Sequence, residues 1–364
     1  MEIRQTTRPP VKQDGIVADL RARILDRTYR PGARLPTRTE LQASFQASSV
    51  TVQRALDRLV TDGFVQARGR HGTFVVEHPP SSCHYALVVP LEPDAGGWVR
   101  FWTALVNEAR RVGSRQPRTM SVYHGIDGHT DAEDYQRLLR DLRNQRLAGI
   151  VFAVNPRRLF DTPLIRLPGI PRIAISDQAD RGLMALRLDR FAFIDRALDH
   201  FLAKGRRRVA VVAVPGQEDS WRERLHAALA ERGMIMHPHW WQVLSQAAPQ
   251  SARGVVRLLM HEGQRERPDA LLISDDNLVE HATAGLVAAG ARVPEDVEVV
   301  AHCNFPWPTP SVLPVARLGY DAREVLDRCL RAIDDRRSGV PGSDEVDVPV
   351  RFEREVRVED PSTV

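Results

Sequence analysis

Between residues 84 and 302, short apolar runs alternate with longer amphipathic stretches, and this alternation restricts most of the chain to one class of fold. Runs such as Ala86-Leu87-Val88-Val89 and Gly149-Ile150-Val151-Phe152-Ala153-Val154 are apolar on both faces of a strand, as a sheet covered on both sides requires. The pattern predicts strands at 84–91, 119–125, 148–154, 170–176, 208–214, 240–245, 269–274 and 297–302. Helices are predicted at about 98–113, 131–146, 191–204, 221–233, 250–262 and 277–289. Strands separated by helices build parallel sheets of α/β type. More than ten strands in some 280 residues suit two lobes better than one sheet, so two lobes are expected. None of the apolar runs is long enough to span a bilayer, and no apolar stretch of signal-peptide kind opens the chain, so a cytoplasmic protein with no membrane partner is expected. Cys83, Cys303 and Cys329 are widely spaced and read as reduced thiols.

The first fifth of the chain follows other rules. Residues 1–80 hold 13 Arg/Lys against 8 Asp/Glu, whereas the remainder holds 38 against 39, so the positive excess is segregated at the amino terminus. Residues 1–14 read as a loose arm. Ile16, Leu20 and Ile24 then mark a helix, flanked by Val17 and Leu25 and ended by Arg30-Pro31-Gly32. Thr37 and Glu40 have capping-box spacing for a second helix with Leu41 and Phe45 inward. After the short Gln46-Ala47 connection, Ser48 caps a third helix whose Val52, Ala55, Leu56 and Leu59 fall at i, i+3, i+4 and i+7. Its other face presents Ser49, Val50, Gln53, Arg54, Asp57 and Arg58. Two short strands, 64–67 and 73–76, then enclose the basic turn Arg68-Gly69-Arg70-His71-Gly72. Two helices on a tight connection followed by a hairpin form a winged helix-turn-helix. The expected contacts with a double-stranded DNA operator are Arg38, Thr39, Ser48, Ser49, Val50, Thr51, Gln53 and Arg54 on the helices, with Arg68, Arg70, His71 and Gly72 on the wing.

Residues 12–77 resemble the GntR-type winged helix-turn-helix of bacterial transcription regulators. The resemblance is carried by Arg30-Pro31-Gly32-Ala33-Arg34-Leu35-Pro36-Thr37, Ala55-Leu56-Asp57-Arg58-Leu59, Asp62-Gly63-Phe64-Val65 and Gly69-Arg70-His71-Gly72-Thr73-Phe74-Val75. Many relatives carry arginine where Thr39, Ser49 and Gln53 stand here. Gln53 can bond an adenine edge instead, and Val50 can meet a thymine methyl.

Residues 84–356 are similar to the sensor domain of LacI/GalR-type repressors, the periplasmic-binding-protein type I fold. The matching stretches are 289–301, 170–175, 200–210, 268–276 and 350–355. The resemblance implies two lobes joined by crossovers near 186–189, 314–319 and 340–347, with a small effector between them. The expected domains are therefore residues 1–77 (DNA binding), 78–83 (linker) and 84–364 (effector binding).

In open α/β sheets ligands sit beyond the carboxyl ends of the strands. The effector candidates are accordingly Trp98, Asn155, Ser176, Asp177, Trp221, Arg222, Asp275, Asp276, Asn304 and Trp307, with Glu92, Trp102, Arg157, Gln178 and Phe305 beside them. Paired acceptors next to tryptophan faces suit a carbohydrate-like ligand. The LacI-like pattern often has an arginine near Trp221 and an aspartate at the position of Cys303, and Arg222 is one residue out of that register. GntR-type heads are sometimes fused to aminotransferase-like domains, which need a Schiff-base lysine. Beyond the head only Lys204 exists, in a basic turn. There is no Gly-x-x-x-x-Gly-Lys and no Gly-x-Ser-x-Gly, and His237-Pro238-His239 has no further positioned ligand, so neither enzyme, cofactor nor metal is expected. A homodimeric repressor controlled by a small polar effector is the expected function. A ligand-dependent activator or corepressor-type regulator, or a carbohydrate-binding protein without a regulatory role, are the alternatives.

Overall fold

The computed structural model describes residues 12–114, 117–216 and 219–356. Most of the expected amino-terminal arm lies outside them, and its last residues, 12–14, are already helical. Helices α1 (Lys12–Leu25), α2 (Arg38–Phe45) and α3 (Ser49–Thr61) are followed by the antiparallel hairpin β1 (Val65–Ala67) and β2 (Thr73–Val75). Ile16, Leu20, Leu41, Val52, Ala55, Leu59, Phe64 and Val75 form their common core. The Thr37–Glu40 capping box and the Ser48 cap are both present. Helix α1 stops at Leu25, short of the Pro31-Gly32 pair expected to end it, because Arg27 turns into the left-handed region at φ 65°. The Pro-Gly turn serves the wing instead. It lays residues 33–35 along β2, with Leu35 N donating to Thr73 O and Val75 N to Ala33 O, both at 2.8 Å.

The stretch expected as a linker contains one helical turn, α4 (Pro80–Cys83), with Ser81 and Cys83 buried. The first lobe then runs β3 (His84–Val88), α5 (Arg100–Ser114), β4 (Thr119–Tyr123), α6 (Glu133–Arg143), β5 (Gly149–Phe152), α7 (Pro163–Arg166), β6 (Arg172–Ile175) and β7 (Met184–Leu188). The second runs α8 (Arg190–Ala203), β8 (Val209–Ala213), α9 (Asp219–Glu231), β9 (Trp241–Val243), α10 (Ser251–Leu259), β10 (Ala270–Ile273), α11 (Val279–Ala288), β11 (Glu298–Phe305) and β12 (Ala316–Asp321). The chain returns to the first lobe as α12 (Ala322–Arg337) and β13 (Glu345–Val348), and ends its sheet pairing in the second lobe as β14 (Arg351–Phe352).

Two six-stranded sheets result, ordered β13-β7-β6-β5-β3-β4 and β14-β12-β11-β10-β8-β9. Every neighbouring pair is parallel except β12 with β14. The lobe crossings follow Leu188, Asp321 and Val348. Two of the expected crossovers are thereby corrected: 314–319 falls largely within β12, and 340–347 leads into and through most of β13. Both segments are recruited as strands by distant partners, β12 by β11 and β13 by β7. Helix α12, absent from the sequence reading, buries Leu326, Cys329, Leu330 and Ile333 against the first lobe. A Cβ at Gly149 would stand 2.5 Å from Ile333 Cγ2, so this close seat for the helix depends on glycine.

Candidate nucleic-acid interface and interlobe cleft

The head separates its arginines by partner. Arg21 is buried in an ion pair with Asp62, which also accepts from Arg58 Nε at 3.0 Å, and Arg23 pairs with Asp19. Arg34, Arg38, Arg54, Arg68 and Arg70 are exposed and have no acidic side chain at ion-pair distance among the described residues. They lie on the wing, the start of α2 and the outer side of α3, the surface a duplex phosphate backbone can meet. Arg34 was missed because only the pairing of residues 33–35 with β2 brings it under the wing. Its Nε lies where a Cβ on Gly72 would approach to 2.9 Å, so glycine makes room for it. Arg68 stacks on Phe74 at 4.7 Å, while Arg70 and His71 stand free at the tip.

On α3, Ser49, Val50 and Arg54 face outward, Val50 with 60% of its surface exposed. Thr39 is exposed beside Arg38. Ser48 is occupied as a cap, its Oγ accepting from Thr51 N at 3.2 Å and lying 2.8 Å from Thr51 Oγ1. Gln53 lies along the helix, its Nε2 donating to Asp57 Oδ1 at 2.7 Å. Base reading by Gln53 therefore requires release from, or support by, Asp57.

In the two-lobed body, four buried polar atoms without a hydrogen-bond partner stand in or just past strands; two more, on Tyr135 and Arg206, lie elsewhere. His124 Nδ1 follows β4 and Asn155 Oδ1 follows β5, while His302 Nδ1 and Asn304 Oδ1 belong to β11. All four are buried without a hydrogen-bond partner. Asn304 Nδ2 donates to Asp276 Oδ2 at 2.7 Å, and Thr309 Oγ1 donates to the Asp276 carbonyl at 3.2 Å. Burial, reinforced by the charge of Asp275, pushes the Asp276 carboxyl up to about 7. Burial lowers the pKa of His302, whose ring lies 5.6 Å from Phe193 and 5.8 Å from Tyr320. Hydroxyl groups, which both donate and accept, can satisfy atoms of this kind. His124 and His302 were not among the expected residues, although His124 directly follows a strand.

The other candidates divide by what they touch. Trp98 is half-buried, edge-on to Trp102 at 5.6 Å and 5.9 Å from His124. Asp275 is committed to Gln246 and Asn277. Ser176 donates to Gln178 O, and Asp177 pairs with Arg190 at 2.8 Å. Glu92, Arg157 and Gln178 are exposed, and Phe305 is buried. Trp221 is no open platform: the apolar side of α9 carries it into the core, 2% exposed, 5.6 Å from Trp241. Arg222 is exposed over Trp241 at 5.8 Å. Trp307 reaches across the lobes, its Nε1 donating to Glu108 Oε1 of α5 at 2.9 Å. Nearby, Arg100 N donates to Asn277 Oδ1 at 3.0 Å and Arg100 pairs with Glu280 at 3.4 Å, completing a latch between the lobes.

Comparison with known proteins separates the same two parts. Residues 12–75 match bacterial regulatory proteins of the gntR family, and residues 198–353 match the periplasmic binding protein-like domain. The HTH-type transcriptional regulator Rv1152 of Mycobacterium tuberculosis is 34% identical over 91 residues, covering 24% of this chain and 75% of the relative. The HTH-type transcriptional repressor PurR of Photobacterium profundum is 25% identical over 143 residues, covering 36% of this chain; the match spans only 41% of that repressor. A LacI family transcriptional regulator from Arthrobacter sp. FB24, solved in complex with lactose, shares the fold with a TM-score of 0.56 at 15% identity, covering 74% of this chain and 97% of the other. Among the described residues no helix is long and apolar enough to cross a membrane.

Proposed function

This chain belongs to the gntR family of bacterial regulatory proteins, and from that premise we propose that it is a sequence-specific transcription regulator, a repressor whose hold on a double-stranded operator is set by a small polar effector. The observation that carries the reading is that buried polar atoms without a hydrogen-bond partner stand just past strands of one lobe, at His124 and Asn155, and in the carboxyl-terminal half of β11 in the other, at His302 and Asn304. A sugar-like molecule is the effector class this supports, in keeping with the lactose held by the Arthrobacter regulator. Asp276, Asn304 and Asn155 bind it and Trp98 lines its path. The domains are 1–77, 78–83 and 84–364, and the protein works in the cytoplasm as a homodimer, two heads meeting two half-sites. Effector binding shifts the population between lobe arrangements, a coupling of about 1–3 kcal/mol being sufficient.

Selection of bound duplexes from a random-sequence pool, followed by titration of monosaccharides and disaccharides against the selected operator, tests this reading. A sugar that changes operator affinity by roughly 5- to 150-fold supports it. Asn304→Ala should then keep operator binding and lose the response. Failure to select any preferred duplex overturns the DNA-reading function, and an undiminished response in Asn304→Ala overturns the cleft.

A further inference from the structure

One arginine joins the sensor to the head. Arg337, the last residue of α12, donates from Nη2 to Ser81 O at 2.7 Å and from Nη1 to Ser82 O at 3.0 Å. These are carbonyls of α4, the helical turn between head and body, which α4 is too short to satisfy within itself. Asp334 holds the same corner, accepting from Tyr85 OH at 2.5 Å and from Arg118 Nη2 at 2.8 Å, and lies 3.5 Å from Arg337. On the head side Pro80 packs at Gly63, just past α3, where a Cβ would come within 3.3 Å of the proline ring.

The other end of α12 is a lobe crossing. Its cap, Asp321, is the final residue of β12 in the second lobe, and its side chain accepts from Arg323 N at 2.9 Å. One rigid helix of 16 residues therefore starts where the lobes join and ends on the segment that carries the head. Packing of Ile333 on Gly149 seats α12 on the first lobe one turn before Arg337. A displacement of the second lobe at Asp321 therefore has a continuous packed route to Ser81 and Ser82.

We propose that Arg337 is the positioning residue through which the arrangement of the two lobes sets the placement of the DNA-binding head. The proposal rests on the regulatory reading above. It assigns Arg337 no contact with DNA or effector.

The test needs no effector, because the Trp307–Glu108 latch offers a way to alter the lobes directly. Full-length wild type, Trp307→Phe, Arg337→Lys and the double variant are titrated against an operator selected by the wild type. The same operator with half-site spacing changed by one and two base pairs is titrated in parallel. Arg337→Lys keeps the charge beside Asp334 but lacks a fork to bridge two carbonyls. Trp307→Phe is expected to change full-operator affinity at least threefold in the wild-type background and less than 1.5-fold when Arg337 is lysine. Arg337→Lys alone should flatten the spacing preference while changing single half-site affinity less than twofold. A merely structural role for Arg337 leaves the Trp307→Phe effect equal in both backgrounds, and that result overturns the proposal. So does a Trp307→Phe variant with no effect in either background. Should the wild type select no operator at all, the regulatory function itself fails, which is a distinguishable outcome.

Discussion

Removing the Asp62 carboxylate should bring the head to the margin of folding while sparing the sensor. The side chains of Arg21 and Asp62 are 7% and 4% exposed, and Arg21 also lies over the Phe64 ring at 5.2 Å. Deleting one partner of a buried pair leaves the other charged and unhydrated, which costs about 3–5 kcal/mol. Arg58, the second partner, is 46% exposed and can turn to water, so its loss adds little. A head of this size has roughly 3–10 kcal/mol of stability in all, so Asp62→Ala brings it to the margin of folding. All six tryptophans, at positions 98, 102, 221, 240, 241 and 307, lie in the body. Intrinsic fluorescence therefore follows the sensor alone, and the head needs another probe. Hydrogen exchange at the Leu20 and Leu59 amides supplies one. If these exchange through unfolding of the head, protection should fall about 150- to 5,000-fold in Asp62→Ala, with the tryptophan melt unchanged. The double variant Arg21→Met/Asp62→Leu should recover most of the protection, since apolar replacement of a buried pair is often neutral. A loss below about tenfold in Asp62→Ala would refute the assignment of the pair as the strut of the head.

Other expectations concern the two candidate surfaces. Arg70→Ala should weaken binding to all DNA sequences and reduce the salt slope by about one counterion, and an unchanged slope in anisotropy titrations removes the wing tip from the phosphates. Gln53→Ala should relax preference at one base step, by about 1–3 kcal/mol in a mutated-operator series; uniform weakening contradicts a reading role. The Asp276 carboxyl, ordinarily near 3.8 and raised to about 7 in the fold, binds its proton more tightly folded than unfolded. Its contribution to stability is therefore present at acid pH and lost as pH rises through about 7. Asp276→Asn should flatten the fall in sensor melting temperature between pH 4 and 7, with His302 common to both proteins; an unaltered slope contradicts the burial argument. Gly149→Ala should cost about 1–3 kcal/mol by forcing Ile333 outward, visible in the tryptophan-monitored denaturation midpoint.

What could be read from the sequence was what the chain decides locally. The α3 stripe, its Ser48 cap and the Thr37–Glu40 box depend on residues three or four apart, and all are found. The two-lobed α/β body followed from period and length in the same way. Helix α12 obeys the same rule, with Val325, Leu326, Cys329, Leu330 and Ile333 on one face, and was legible but unread. Strand β13 was not legible: Glu345-Val346-Asp347-Val348 has little apolar character, and its place comes from pairing with β7 and from Arg187 bonding Glu345 and Asp347. For the site, position beyond a strand picked out Asn155, Asp276 and Asn304 as candidates. It could not tell a tryptophan open to ligand from Trp221 in the core or Trp307 in a latch, because those fates depend on elements far away in sequence.

The threefold passage of the chain between lobes also orders events during synthesis. Everything the head core uses is present once Val75 has been made. The first lobe instead waits for α12 to cover its sheet and for β13 to pair with β7, about 270 residues later. At roughly 5–20 residues per second, a nascent chain carries a finished DNA-binding head for some 14–54 s beside a sheet with a bare apolar face and an unpaired edge. Premature termination before residue 322 freezes that state. Its product is a head able to fold, attached to a sensor that aggregates.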